Sequence, residues 1–119
     1  MAATNGRAMK AKGSAFERDV VAVLRDHGHP NAERAYGAGR PDDTGDVDGL
    51  PRFALELKCC RTIDLAGWMN EATTEAANAG PGVLPVVVAK RRGRPADQSY
   101  VVMTLADWAQ LVADDTECP

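Results

Sequence analysis

The residues of this chain that could do chemistry are concentrated between positions 45 and 58. Asp46 lies in a Gly-Asp-Val-Asp-Gly segment, and Glu56 and Lys58 follow in an alternating segment, Phe53 to Lys58. Alternate residues of a strand share a face, so Glu56 and Lys58 are expected on one face and the apolar residues on the other. Gathering these charges costs desolvation free energy unless they are used. The combination favours a divalent metal ion that acts on a phosphodiester.

Each of these groups has an expected role. Mg²⁺ prefers oxygen ligands and takes one or two carboxylates together with water and phosphate, which Asp46 and Glu56 would provide. Lys58 would position the attacking water, help to deprotonate it, or stabilise charge on the phosphate in the transition state. Asp48 projects from the same strand face as Asp46 and is the second choice as ligand. The non-functional alternative is a hairpin that carries a solvent-facing Glu/Lys pair.

Glu17 has two interpretations. Ser14 and Glu17 match the S-x-x-E capping box, which predicts a helix that begins near Ser14 and ends at Gly28. Glu17 also lies beside the apolar face of that helix, formed with Val20 and Leu24, and a carboxylate there could reach the metal cluster. The spacing leaves both interpretations open.

Length, charge and cysteine content limit the class of protein. The chain has 119 residues and a net charge of −3, which suits one domain with one modest core. It has no apolar run of membrane-spanning length and no secretory signal, so a soluble protein is expected. Three cysteines, an odd number, argue against a disulfide framework and for a reducing, cytoplasmic location.

Basic side chains form two clusters, one near the start of the chain and one around positions 90–94. Phosphate contacts made by such clusters bind nucleic acid without sequence preference. A solvated basic loop is the alternative. The residues expected to contact DNA are Lys10, Lys12, Arg18, Arg40, Lys90, Arg91, Arg92 and Arg94.

Periodicity and turn residues predict an α/β fold in the order α-β-β-β-α-β-β-α, with a mixed sheet and helices on its faces. We expect a disordered basic arm over 1–12, a single domain over 13–113 and an acidic tail over 114–119. The predicted strands cover 32–36, 45–48, 52–59, 83–89 and 99–103, and the later helices cover 63–78 and 105–112. The apolar run 83–89 predicts a strand that is covered on both sides.

The second and third strands are expected to form a hairpin that turns around Leu50-Pro51. In one register Asp46 lies opposite Glu56, with Cβ atoms roughly 4.5–5.5 Å apart. A slip of one residue would place the two carboxylates on opposite faces.

Helix caps and aromatic residues give further expectations. Thr62 is expected to cap the second helix and Thr104 the last. Trp68 and Trp108 occur at helical spacing with apolar neighbours, which predicts that both lie in the core.

Over roughly residues 13–90 the chain resembles the PD-(D/E)xK nuclease superfamily, and within it the small archaeal and phage-type Holliday junction resolvases. The element order agrees with the restriction-endonuclease-like α-β-β-β-α-β core of that superfamily. The acid of the first half-motif follows Gly45 instead of proline, while Pro41-Asp42 lies upstream, so Asp42 is a weaker rival. The segments that carry the resemblance are Gly13-Ser14-Ala15-Phe16-Glu17-Arg18, Gly45-Asp46-Val47-Asp48-Gly49 and Glu56-Leu57-Lys58.

The resemblance implies a Mg²⁺-dependent DNA endonuclease of recombination and repair, with Mn²⁺ as a substitute. Asp46 and Glu56 would be the metal ligands, joined by the Leu57 carbonyl, with Lys58 as catalytic lysine and Glu17 as an auxiliary acid. The resemblance also implies a homodimer that cuts opposed strands of branched DNA. The alternatives are a nuclease of the same fold acting on linear or single-stranded DNA, and a non-catalytic DNA-binding module.

Overall fold

The computed structural model describes residues 2–35 and 43–117, with side chains over 12–35 and 43–115. The order of elements is the predicted one, with a short 3₁₀ turn, Ala96–Gln98, before the last strand. The elements are α1 (Ala2–Asp26), β1 (Glu33–Arg34), β2 (Val47–Asp48), β3 (Phe53–Lys58), α2 (Leu65–Ala79), β4 (Leu84–Ala89), β5 (Tyr100–Val102) and α3 (Leu105–Glu117). No described helix combines the length and apolar character needed to cross a membrane.

The described strands form two small sheets instead of the single predicted sheet. Strands β1 and β2 form an antiparallel pair, while β4 lies between β3 and β5 in a second sheet. That second sheet is mixed, because β3 is parallel to β4 and β5 is antiparallel to it. The α/β class is therefore confirmed at this coarser level.

The predicted hairpin between the second and third strands is wrong. Strand β2 pairs with β1, with Val47 opposite Arg34. The reason lies at Gly49, whose φ is +94° and whose position leaves no room for a side chain: a Cβ there would lie 2.0 Å from the carbonyl oxygen of Asn31. This close approach brings the end of β2 against the loop that precedes β1.

The core is built on both faces of β4, as its continuous apolar sequence predicts. Val86 and Val88 pack with residues of α1, while Val87 and Ala89 pack with α2. Alternation along the strand sends successive side chains to opposite faces. The residues that α1 and α2 bring to these two clusters are Phe16, Val20 and Val21, and Trp68 and Ala72, respectively.

The first helix is longer than predicted. It begins at Ala2, so residues 2–12, expected to be a disordered arm, are helical in the structure. This segment has four alanines and two lysines, with one methionine and one arginine, and all of these are strong helix formers. Ser14 therefore lies inside a helix, and the predicted capping box is wrong.

The ends of α2 and α3 agree with the predicted capping residues only in part. Asp64 caps α2 in place of Thr62, since its carboxylate accepts a hydrogen bond from Gly67 N at 3.0 Å. Thr104 caps α3 as predicted, accepting a hydrogen bond from Asp107 N at 3.2 Å. Helix α3 continues to Glu117, into the predicted acidic tail.

The two tryptophans differ. Trp68 is buried, as predicted, whereas Trp108 is 54% exposed, so its assignment to the core is wrong. Helix α3, which carries Trp108, contributes none of the described residues to either hydrophobic cluster. Helical periodicity identifies an apolar face but does not say what covers it.

Candidate active site

Asp46 forms hydrogen bonds with the two residues of β3 that precede and follow Glu56. Its backbone N–H donates to the carbonyl oxygen of Leu55 at 2.7 Å, and its carboxylate Oδ2 accepts from the backbone N–H of Leu57 at 2.8 Å. Gly45 permits this approach, because its φ is +112° and a Cβ there would lie 2.9 Å from the Leu55 carbonyl oxygen. The structure thus brings Asp46 beside Glu56 without the predicted hairpin.

Glu56 and Lys58 share one face of β3, as their spacing predicts. Lys58 Nζ lies 3.2 Å from Glu56 Oε1, and Glu56 is only 7% exposed. The same ammonium group lies 3.0 Å from Glu71 Oε2 on α2. The face of β3 that carries the charges is therefore covered by α2, while Leu55 on the opposite face packs with α1.

A third carboxyl group from α2 reaches this face. Glu75 is 7% exposed and hydrogen-bonds to Glu56. Its Oε2 atom is buried without a hydrogen-bond partner. Buried polar atoms in proteins are nearly always paired, so this oxygen marks an unusual position.

Burial and neighbouring carboxylates raise the pKa of two acidic side chains, Asp46 and Glu75. Burial is the main cause that raises the pKa of Asp46 to about 7, against a lowering effect of the hydrogen bond from Leu57. The charges of Glu56, Glu17 and Asp43 raise it further. Burial, together with contact with Glu56, also raises the pKa of Glu75 far above its ordinary value.

Lys58 remains a cation in this environment. Burial of its ammonium group opposes the charge, but the contacts with Glu71 and Glu56 outweigh burial and raise its pKa. A permanently charged ammonium group suits the stabilisation of negative charge on a phosphate better than proton abstraction.

Glu17 lies on α1, the helix that packs with Leu55 on the face of β3 opposite Glu56. Its Oε2 atom forms an ion pair with Arg34 at 2.8 Å. Its charge still contributes to the raised pKa of Asp46, so the two carboxylates are within electrostatic range. Glu17 thus acts on Asp46 through its charge and has a cationic partner of its own.

Asp48 and Asp42 were the alternatives to Asp46 as the acidic metal ligand. Asp48 is exposed on β2 and lines an open groove of about 530 Å³ with Asn31 and Thr44, away from Lys58. Asp42 lies outside the described residues. Asp43, which was not predicted, accepts a hydrogen bond from Gly45 N at 2.9 Å and raises the pKa of Asp46. Asp46 is thus the acid of this segment that is bound to β3.

One of the two basic clusters begins beside the charged face of β3. The backbone N–H of Lys90 donates to the carbonyl oxygen of Lys58 at 2.9 Å, because β3 and β4 run parallel and end together. Lys90, Arg92 and Arg94 are exposed, whereas Arg91 is half-buried and stacks on Tyr100. The predicted DNA contacts remain predictions.

The other predicted DNA-binding residues are scattered. Lys12 and Arg18 are exposed on α1. Arg40 lies outside the described residues, as does the side chain of Lys10.

The carboxylate groups around β3 are of the type that binds a hard cation. Asp46, Glu56 and Glu75 offer carboxylate oxygens, the ligands that Mg²⁺ and Mn²⁺ accept, and one of these oxygens is buried without a partner. Within residues 12–35 and 43–115, however, no three His, Cys, Asp or Glu side chains are grouped as a metal site requires. The Leu57 carbonyl, also predicted as a ligand, stays a prediction.

Sequence reasoning missed Glu71 and Glu75. The signal was available, since Trp68, Ala72 and Ala76 mark the buried face of α2 and position 75 falls on the same face. Comparison of the chain with protein families, curated proteins and solved structures found no match.

Proposed function

We propose that this protein is a Mg²⁺-dependent DNA endonuclease that hydrolyses phosphodiester bonds and selects branched DNA. The observation that carries the proposal is the meeting of Asp46, Glu56 and Lys58 at the end of β3. Asp46 Oδ2 is fixed by Leu57 N at 2.8 Å, and Lys58 Nζ lies 3.2 Å from Glu56 Oε1. Two oxygen donors and one cation, on β3 and on the segment hydrogen-bonded to it, are the groups that phosphodiester hydrolysis needs.

Asp46 and Glu56 would hold the cation, either Mg²⁺ or Mn²⁺. A bound cation would polarise the phosphate and lower the pKa of a water molecule. Lys58 would place its positive charge where the phosphate gains negative charge, while Glu71 restrains the ammonium group at 3.0 Å. The bond from Leu57 N orients the Asp46 carboxylate before any substrate binds.

The segment 90–94 supports DNA as the substrate. It starts beside Lys58 and presents exposed Lys90, Arg92 and Arg94 at the same edge of the sheet. Phosphates bound there would lie close to the cluster on β3. Such contacts carry no base information, so discrimination among DNA substrates would depend on shape.

The proposal includes a homodimer, which a cut in two opposed strands favours. Strand β5 pairs only with β4 among the described strands, and Val101 on it is 66% exposed. Leu105, Trp108 and Val112 form an exposed apolar stripe on α3 at i, i+3 and i+7. Antiparallel pairing of β5 with its copy would bury this surface and separate the two β3 strands by about 24 Å, five strand spacings.

The test compares three DNA substrates: a four-way junction, a linear duplex and a single strand, each with Mg²⁺ or EDTA. Asp46→Asn and Lys58→Ala remove one charged group each. Asp48→Asn is the matched control, because Asp48 is an exposed acid two residues away. We expect cleavage of the junction in Mg²⁺ by the wild type and by Asp48→Asn only.

Other outcomes identify the alternatives. Cleavage that persists in EDTA, or in both Asp46→Asn and Lys58→Ala, would contradict the assignment of the site. Cleavage of linear or single-stranded DNA in preference to the junction would indicate an end-processing nuclease. Junction binding without cleavage in Mg²⁺ or Mn²⁺ would indicate a non-catalytic DNA-binding module.

A further inference from the structure

Tyr100 is an exposed aromatic residue that the proposed roles of the charged residues do not explain. It is the first residue of β5, the strand at one edge of the second sheet, and 52% of it is exposed. Half-exposed tyrosines are common on protein surfaces and need no function. The place of Tyr100 in the sheet and its cationic neighbour indicate a more specific role.

Tyr100 lies on the same sheet face as Lys58. In the register of the sheet, Ala89 is the partner of Lys58 on one side and of Tyr100 on the other. Residues paired in this way point to the same face, and two strand spacings, about 10 Å, separate Lys58 from Tyr100. The three residues are the last of β3, the last of β4 and the first of β5, so they form a row at one end of the sheet.

A cation from the basic segment 90–94 contacts the ring of Tyr100. The guanidinium carbon of Arg91 lies 5.8 Å from the ring centroid, within the range of a cation–π interaction. The segment leaves the sheet at the end formed by this row, where the backbone N–H of Lys90 donates to the carbonyl oxygen of Lys58 at 2.9 Å. No described carboxylate forms an ion pair with a cation of this segment, so these charges are available to phosphates.

We propose that Tyr100 is a stacking platform for an unpaired base of the DNA strand that is cleaved. This inference rests on the proposed function, and it deepens it by naming a feature of the substrate, an unstacked base near the cleaved bond. Segment 90–94 would hold the phosphates, and the base would lie on the face of the ring that Arg91 does not cover. Every base has an aromatic face, so stacking of this kind accepts any sequence. A base inside a duplex must first leave its own stack, which costs free energy and favours DNA whose bases are already unpaired.

Base stacking and phosphate contacts respond to different changes in the DNA. An abasic strand keeps the charge of its phosphates but offers no ring to stack on. Arg92 provides a matched control, because it is an exposed cation in the segment that contacts Tyr100. Loss of a phosphate contact in Arg92→Met would affect strands with and without bases alike, whereas loss of the platform would affect only the strand with bases.

The experiment measures DNA binding by fluorescence anisotropy in EDTA, where the proposed cleavage does not occur. The probes are a single-stranded oligothymidylate of about 12 nucleotides and an abasic strand of the same length. Circular dichroism reports the folding of each variant. We expect folded Tyr100→Val to bind the oligothymidylate about 5–150-fold more weakly than wild type, and the abasic strand as tightly as wild type. Tyr100→Phe, which keeps the ring, should retain the wild-type preference for bases, and Arg92→Met should leave the ratio of the two affinities unchanged.

Equal binding of the two probes by the wild type, or binding of neither, would overturn the inference. So would a folded Tyr100→Val that keeps the preference, or a folded Tyr100→Phe that loses it. Should Tyr100→Val not fold, the wild type is irradiated with a single strand that contains 5-iodouracil, and mass spectrometry locates the cross-link. A cross-link on Tyr100 would support the platform, and its absence there would refute it.

Cleavage judges the proposed function separately. A wild type whose preference for bases depends on Tyr100 but that cuts no DNA would refute the nuclease and support the stacking platform. Mg²⁺-dependent cleavage of the junction, together with equal binding of the two probes, would support the nuclease and refute the platform.

Discussion

Asp46 lies beside Glu56 because it hydrogen-bonds to the residues before and after Glu56 in β3. The backbone of Asp46 donates to Leu55 and its side chain accepts from Leu57, at 2.7 and 2.8 Å. No strand ladder joins β2 to β3 in the described sheets. The proximity of the two carboxylates therefore depends on one residue's own hydrogen bonds and on the turn at Gly45, rather than on the register of a hairpin.

Gly49→Ala should destabilise the fold. A Cβ at position 49 would lie 2.0 Å from the carbonyl oxygen of Asn31, and the φ of +94° is unfavourable for alanine. We expect the free energy of unfolding to fall by about 1–3 kcal/mol or more, measured by urea denaturation. Gly13→Ala is the control, because position 13 is helical with open space around it, and this change should stabilise by about 0.5–1 kcal/mol. Equal stability of the two variants would contradict the close approach.

Lys58→Met, once circular dichroism shows that it is folded, should have lost most of the proposed cleavage activity. Methionine keeps the length of the side chain but loses the charge that would act on the phosphate, a loss of roughly 10²–10³-fold in rate. Cleavage is measured under single-turnover conditions in Mg²⁺. Lys90→Met, an exposed lysine next to the same strand end, should mainly weaken DNA binding and reduce its salt dependence. A Lys58→Met variant with the rate of Lys90→Met would contradict a catalytic role.

Much of the fold could be predicted from the sequence because local signals decide it. The alternation Phe53 to Lys58 placed Glu56 and Lys58 on one face, and the apolar run ending at Ala89 identified the central strand. Both patterns report burial directly. The partner of β2 could not be predicted, since a strand was predicted on each side of it in the chain and local sequence does not decide which of them pairs with Val47 and Asp48.

The sequence failed to predict Glu75 and the partner of Glu17 for a different reason. Glu75 lies 17 residues beyond Lys58 in sequence, on a different element, and no local spacing links it to β3. Glu17 was predicted on the correct helix and Arg34 in a predicted strand, but no sequence spacing links the two residues as an ion pair. Contacts between distant elements follow from packing, which a single sequence does not display.

In EDTA, stability should fall as the pH rises from about 4 to about 7. Burial raises the pKa of Asp46 from 3.8 to about 7, so in this window the folded protein keeps a proton that the unfolded chain has lost. The free energy of unfolding contributed by Asp46 therefore decreases with pH and levels off above about 7. Urea denaturation at several pH values checks this, and Asp46→Asn should reduce the slope. An unchanged slope in Asp46→Asn, with exposed Asp48→Asn as control, would contradict the buried state of this carboxylate.

The exposed surface of β5 and α3 should be the dimer interface. Leu105 is 78% exposed and Trp108 54%, on a helix that contributes no described residue to the two hydrophobic clusters. A stable interface buries about 800 Å² on each partner, and the exposed apolar stripe of α3, together with the edge of β5 that pairs with no other described strand, would supply part of such an area. Trp108→Lys should therefore shift the protein from dimer to monomer in analytical ultracentrifugation, without loss of helix by circular dichroism. Ile63→Lys is the control, since Ile63 is 69% exposed but precedes α2. A wild type that sediments as a monomer at micromolar concentration, or a dimer that Trp108→Lys leaves intact, would contradict this interface.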